Sequence, residues 1–291
     1  MAFRVSADRV LLLATGLAAV TALPQAARAE EPSTVDNARP GDDSARHRID
    51  RTWLYVDDAR VTAPGAVVGS TSASYTNIGS NPDRVAAPYK PFAFNTAQPG
   101  ALMSLGAEAG MLSRVSVLAL GQMALGGEGS GFGAGAIAGV RVQLFPSSWQ
   151  SVRLTASVGY LREAWTPTEP RGDNGMWTEA AIAGDVQRLR LGMTAHGEHV
   201  FANGRDGVDL MFRAGASYRL AGAFRAGVEW VGQDLEEAFK DAAEGGARQF
   251  IGPTASMQLL DDRMTVVAGP SVGLSDRSPQ LLGRFALSYG F

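Results

Sequence analysis

From about Ala66 to Phe291 the chain alternates apolar residues with small or polar ones at a period of two. Successive side chains of an extended strand point to opposite faces, so this pattern specifies sheets with one apolar and one polar surface. The clearest stretch sets Phe132, Ala134, Ala136, Ala138, Val140, Val142 and Leu144 against Gly133, Gly135, Ile137, Gly139, Arg141 and Gln143. The next sets Val152, Leu154, Ala156, Val158 and Tyr160 against Arg153, Thr155, Ser157 and Gly159. A later one sets Val208, Leu210, Phe212, Ala214, Ala216 and Tyr218 against Asp209, Met211, Arg213, Gly215, Ser217 and Arg219. In each, the charges keep to a single parity.

The links between these stretches carry a second signal. Short ones at Leu112–Arg114, Pro146–Ser148, Asp185–Gln187, Leu220–Gly222 and Asp261–Arg263 alternate with longer ones. The longer ones lie at Asn77–Pro99, Gly126–Gly131, Thr166–Gly175, Ala202–Gly207, Gln233–Ala247 and Ser275–Ser278. Tight turns on one side and large loops on the other are the arrangement of outer-membrane barrels. The expected fold class is therefore all-β, an antiparallel up-and-down transmembrane β-barrel of about twelve strands. Two places weaken the strand pattern, the first strand near Val67–Tyr75 and the Gly269-Pro270 region.

The start of the chain reads as a secretory signal peptide over residues 1–29. Arg4 and Arg9 precede the apolar run Val10–Leu23, and Ala27-Arg28-Ala29 forms a small-x-small cleavage site before Glu30. The run falls short of the roughly 20 residues a helical span needs. With no Cys there is no disulfide framework, no lipidated N-terminal Cys and no thiolate metal site. Removing the leader's three arginines and one aspartate from 26 basic and 29 acidic residues leaves a net charge of −5. That acidity argues against nucleic acid as a partner. Residues 30–63 are rich in Asp, Arg, Ser and Pro without a sustained period, and read as a periplasmic lead-in, largely extended or disordered. Within it, Trp53-Leu54-Tyr55-Val56 fits a short strand, a plug against the barrel mouth, or an apolar patch on a loose tail. The barrel takes the rest, residues 64–291.

The last strand is the most specific motif. Phe285, Leu287, Tyr289 and Phe291 share one parity, Arg284, Ala286, Ser288 and Gly290 the other, and the chain stops on the aromatic. Here the sequence resembles bacterial outer-membrane β-barrels of the porin-like superfamily, whose closing strand ends in Phe. The resemblance implies residence in the outer membrane after leader cleavage, contact with outer-membrane lipid, and reading of the Phe285, Leu287, Tyr289 and Phe291 face by the barrel assembly machinery.

A soluble sandwich would also alternate. Two features favour the barrel. Aromatics such as Phe132, Tyr160, Trp165, Tyr218, Trp230 and Tyr289 gather near strand ends, as interfacial girdles do. The polar face is also nearly free of lysine, which appears only at Lys90 and Lys240, outside the strands. In hydrocarbon an unpaired backbone group costs several kcal/mol, so such a sheet must close.

Closure turns the charged parity inward. It carries Glu108, Arg141, Arg153, Glu179, Arg190, His196, Glu198, Asp209, Arg213, Arg219, Arg225, Glu229 and Arg284. Arg141, Arg153, Arg190, Arg219 and Arg225 fall near the short turns and suggest a basic rim at the periplasmic mouth. Two roles fit: charges paired across a partly filled lumen, which any polar-lined barrel requires, or a narrow, weakly anion-biased pore.

Few residues of the chain point to chemistry. Alternation puts His196 and Glu198 inside and His199 outside, so they do not converge on a metal. His199-Val200-Phe201-Ala202-Asn203-Gly204 resembles the H-x-S-N-G segment of outer-membrane phospholipases, yet Ala202 stands where the nucleophilic hydroxyl belongs. No cofactor motif is present. The expected protein is a non-enzymatic structural or narrow porin-like barrel. The alternatives are a lipid hydrolase-like protein and a surface-binding protein acting through loops such as the acidic Gln233–Gly246.

Overall fold

The computed structural model describes residues 51–54, 56–77, 100–125, 132–145, 152–165, 174–201, 208–233, 248–275, 278 and 280–291. Among them there is no helix. The strands are β1 (Val67–Asn77), β2 (Gly100–Leu112), β3 (Val115–Leu125), β4 (Phe132–Gln143), β5 (Val152–Trp165) and β6 (Asn174–Val186). They continue as β7 (Leu189–Val200), β8 (Asp209–Ala221), β9 (Phe224–Gln233), β10 (Arg248–Leu259), β11 (Met264–Gly273) and β12 (Leu281–Gly290). Each pairs antiparallel with its chain neighbours, and β12 returns to β1, so the sheet is one closed barrel of twelve strands.

The two weak places resolve differently. β1 runs unbroken and pairs on both sides, Val68 to Gly290 through Asn77 to Leu281 on one, Val67 to Ala109 through Thr76 to Gly100 on the other. β11 also continues through Pro270, but its ladder with β10 skips from Ile251–Val272 to Ala255–Ala268. Pro253 and Pro270 lie in that gap, and neither has an N–H to donate.

Both termini of the barrel emerge at the end that carries the short turns, hereafter the turn end; the other is the loop end. Left-handed backbone closes several turns there, at Gln187 (φ 55°) and Gly222 (φ 47°), and at Leu260, Asp261 and Asp262. Such φ values belong to the tight hairpins whose twist matches the flanking strands.

Burial follows the alternation. In β12, Leu282, Arg284, Ala286 and Ser288 are buried on the inward face, while Leu281 and Phe285 are exposed on the outer one. The outward parity carries exposed Met103 and Leu105 on β2, Val140 on β4, Val158 on β5, Tyr218 on β8 and Val228 on β9. An apolar band around a closed sheet is the surface a bilayer covers.

Phe291 fastens the seam. Its N–H donates to the carbonyl of Val67 at 2.9 Å. Its ring meets Tyr289 edge to face, with centroids 4.9 Å apart, and lies over Gly69, where a Cβ would stand 3.1 Å from it. Deleting Phe291, or replacing it with Asp, is expected to lower the yield of heat-modifiable, SDS-resistant barrel severalfold while export is unchanged. An unaltered gel-shift fraction would contradict this role.

Candidate functional site in the barrel lumen

Residues 51–54 and 56–63 carry no regular secondary structure, yet they are packed inside the barrel. The segment precedes β1 and is tied to the wall where it enters. Gly65 N–H donates to the Gly110 carbonyl at 2.9 Å, Gly110 N–H donates to the Ala66 carbonyl at 3.0 Å, and Thr62 N–H donates to Glu108 at 3.0 Å.

Trp53 is the anchor, with no exposed surface. Its indole lies against Gly192 of β7 and Gly215 of β8; a Cβ there would come within 2.7 Å and 2.5 Å of the ring. Only a residue without a side chain lets the ring approach the wall this closely. Leu54 packs with Val267 of β11 and Ala286 of β12, and Ala59 with Ala181 and Ala183 of β6. The segment therefore touches opposite walls of the lumen.

Polar contacts complete the seat. Val56 N–H donates to Glu229 at 2.7 Å and Asp57 N–H to the Thr194 hydroxyl at 2.9 Å. Arg51 donates to the carbonyl of Leu54 at 2.8 Å and, more distantly, to Ser288 at 3.4 Å. The loop is shaped internally by Thr52 N–H donating to Asp58 and Ala59 N–H donating to Asp57, at 2.8 and 2.7 Å.

Most inward charges of the wall fall into three groups. In the first, Arg141 reaches Glu108 at 3.0 Å, Glu179 at 3.4 Å and the plug's Asp57 at 2.8 Å. Glu179 also faces Arg213 at 3.4 Å and His196 at 3.3 Å, and His196 meets Glu198 at 2.7 Å. In the second, Asp185 bridges Arg153 and Arg190, each at 2.6 Å. In the third, Arg284 pairs with Glu229 at 2.7 Å. Asp209, Arg219 and Arg225 share this inward face, with Arg219 directly across the ladder from Arg225. Arg153 and Arg190 do not stand at an open rim; both are buried. His199 faces outward, its ring edge-on to Phe201 at 5.2 Å, while Ala202 and the acidic loop 234–247 lie outside the described residues.

Two elements of this site were not singled out from the sequence. Asp57 and Asp58 sat in a stretch with no period; the adjacent aromatic patch was the signal that could have flagged them. The inward parity is also apolar toward the loop end, where Met211, Val231, Phe250 and Leu282 cluster, as do Ile137, Leu161, Trp177 and Val200. Trp177 repeats the packing of Trp53, lying on Gly139 and Gly159 and stacking with His196 at 5.9 Å.

No protein-family model matches the chain, and no curated protein matches it. Solved structures do. An outer-membrane channel from Pseudomonas putida F1 superposes with a TM-score of 0.52 at 11% identity, over 80% of this chain and 98% of that one. The chain shares the fold of that outer-membrane channel, a closed antiparallel β-barrel. Weaker similarities include the KdgM porin (TM-score 0.45, 7% identity, 78% and 99% of the two chains) and the CymD monoaromatic hydrocarbon channel (0.40, 11%, 78% and 88%).

Burial in the lumen, with Glu179 and Glu108 beside it, raises the Asp57 carboxyl to about 6 despite the pull of Arg141. A carboxyl whose pKa is higher in the seated than in the free segment favours the seated state more as protons become available. Seating therefore tightens as pH falls through about 6, and the gain is complete near the ordinary carboxyl value of about 4. Because the chain has no Cys, Ala59→Cys supplies a single buried reporter. Its labelling by a charged maleimide, divided by that of the same reporter with Asp57→Asn to cancel the thiol's own titration, should rise severalfold from pH 5 to 7.5. A flat ratio would contradict the linkage.

Proposed function

We propose that the protein is an integral outer-membrane channel, exported on the leader 1–29, and that residues 51–62 close its periplasmic end and must shift before solute passes. The observation that carries this reading is Trp53, fully buried across Gly192 and Gly215 inside the closed sheet. A chain segment seated across the lumen narrows it at that level, and a purely structural barrel has no need of such a segment.

Energetics favour a seat that can be left. Burying an indole contributes about 5 kcal/mol at the usual apolar-area coefficient. Ordering each backbone residue costs about 1–2 kcal/mol, so one anchor cannot hold the whole segment. Trp53 Nε1 is also buried without a hydrogen-bond acceptor among the described residues, a further penalty of about 1–3 kcal/mol. The rest of the hold comes from the charge-assisted contacts of Asp58 to Arg190 and of the Val56 N–H to Glu229, which salt modulates, while the Asp57 carboxyl makes the seat pH-dependent. The terminal Phe285, Leu287, Tyr289 and Phe291 face directs assembly in this scheme, and outer-membrane lipid covers the apolar band.

Planar-bilayer recording of the refolded mature chain tests the reading. Gly215→Val, which puts side-chain atoms where the indole lies, should unseat the segment and raise open probability about tenfold or more over the parent barrel. Trp53→Ala, which removes about 3–5 kcal/mol of packing, should do the same without touching the wall. Absence of stepwise conductance in both variants would leave a sealed structural barrel instead.

A further inference from the structure

Arg153 and Arg190 enter the lumen from β5 and β7, on either side of β6, whose Asp185 bridges them at 2.6 Å to each. Two buried guanidinium groups thus share the Asp185 carboxylate of the wall. The plug supplies further acceptors to both. Arg190 Nη1 donates to the Thr52 hydroxyl at 2.6 Å and to the Asp58 carboxylate at 3.3 Å. Arg153 Nε donates to the Asp58 main-chain carbonyl at 3.1 Å. Arg153 Nη2 remains buried without an acceptor among the described residues.

The plug therefore offers this pair of forks a carboxylate, a carbonyl oxygen and a hydroxyl within a few ångströms. When the segment leaves, those donors lose their acceptors, and buried guanidinium donors are costly to leave unpaired. A solute carrying one carboxylate and neighbouring hydroxyl oxygens restores the same set, through charge-assisted bonds to planar forks.

We propose that Arg153 and Arg190 form the solute-binding site of the channel, that its ligands are small hydroxylated carboxylates, and that Thr52 and Asp58 occupy it as a built-in competitor. This rests on the channel reading for its physiological meaning. The site itself is measurable without any current.

The probe is D-gluconate, titrated by calorimetry into the full mature chain folded in detergent micelles, with acetate and glucose as controls lacking the hydroxyls and the carboxylate. Removing the competitor with Thr52→Val and Asp58→Asn should tighten gluconate about tenfold, since the seated segment hides the site for most of the time in the parent. Adding Arg190→Gln should abolish that binding, and both controls should bind at least tenfold more weakly than gluconate. If the double variant loses the heat-modifiable fold, Trp53→Ala, which leaves every group of the site in place, should give the same gain. Gluconate binding no tighter in the unseated variant than in the parent, or unaffected by Arg190→Gln, overturns the proposal. A barrel that binds gluconate but never conducts refutes the channel and keeps the site, whereas one that conducts without binding it does the reverse.

Discussion

The hydrogen-bonded seam between β1 and β12 is the constraint on which the rest of the structure depends. Ten register pairs from Val68–Gly290 to Asn77–Leu281 leave the sheet without an edge, and Phe291 adds a backbone bond to Val67 at its end. A closed sheet can present a continuous apolar surface outward, as hydrocarbon requires. It also divides every strand into an outward half and an inward half with no escape for the inward charges. Arg141, Glu179, Arg213 and Glu229 must find partners across a small interior, and they do, through contacts that span several strands.

That interior is shaped for a particular guest. Gly192 and Gly215 leave a flat place on the wall, and Trp53 fills it, so the glycine content of the inward parity is matched to an aromatic from the segment before β1. Trp177 on Gly139 and Gly159 shows the same solution between strands of the wall itself. The charged groups are arranged around the guest as well: Arg141 to Asp57, Arg190 to Asp58, Glu229 to the N–H of Val56. The hold combines one apolar anchor with several electrostatic contacts. A seat of this kind responds to pH, to salt and to competing ligands more readily than a purely apolar one, because each of those agents acts on the charged part.

How much of this was legible before folding depends on whether the signal is local. The parity of Arg153, Glu179 or Arg284 is a property of neighbouring residues along one strand, so alternation sorted these side chains to one face. The partners were not legible. That Asp185 bridges Arg153 and Arg190 depends on β5, β6 and β7 lying side by side in one register, Arg153 opposite Ala183 and Arg190 opposite Asp185. The Trp53–Val56 patch was visible as an anomaly in a polar stretch, but nothing near it names its receptor. The apolar inward residues Met211, Val231, Phe250 and Leu282 were hidden for a related reason: each is a single exception on its own strand, and only the barrel brings the four together.

By itself the sequence determined the period, the alternation of short and long links, the terminal aromatic and the charged parity. These suffice for a closed antiparallel barrel of this size because they follow from strand geometry and from the cost of unpaired backbone in hydrocarbon. The tertiary structure decided what fills the interior. Whether a lumen stands open or holds a segment of its own chain turns on a long-range fit, an indole against two glycines of adjacent strands and carboxylates against Arg141 of β4 and Arg190 of β7. Such complementarity is written in no single stretch of the chain, since it exists only once the seam has closed and the inward faces confront one another.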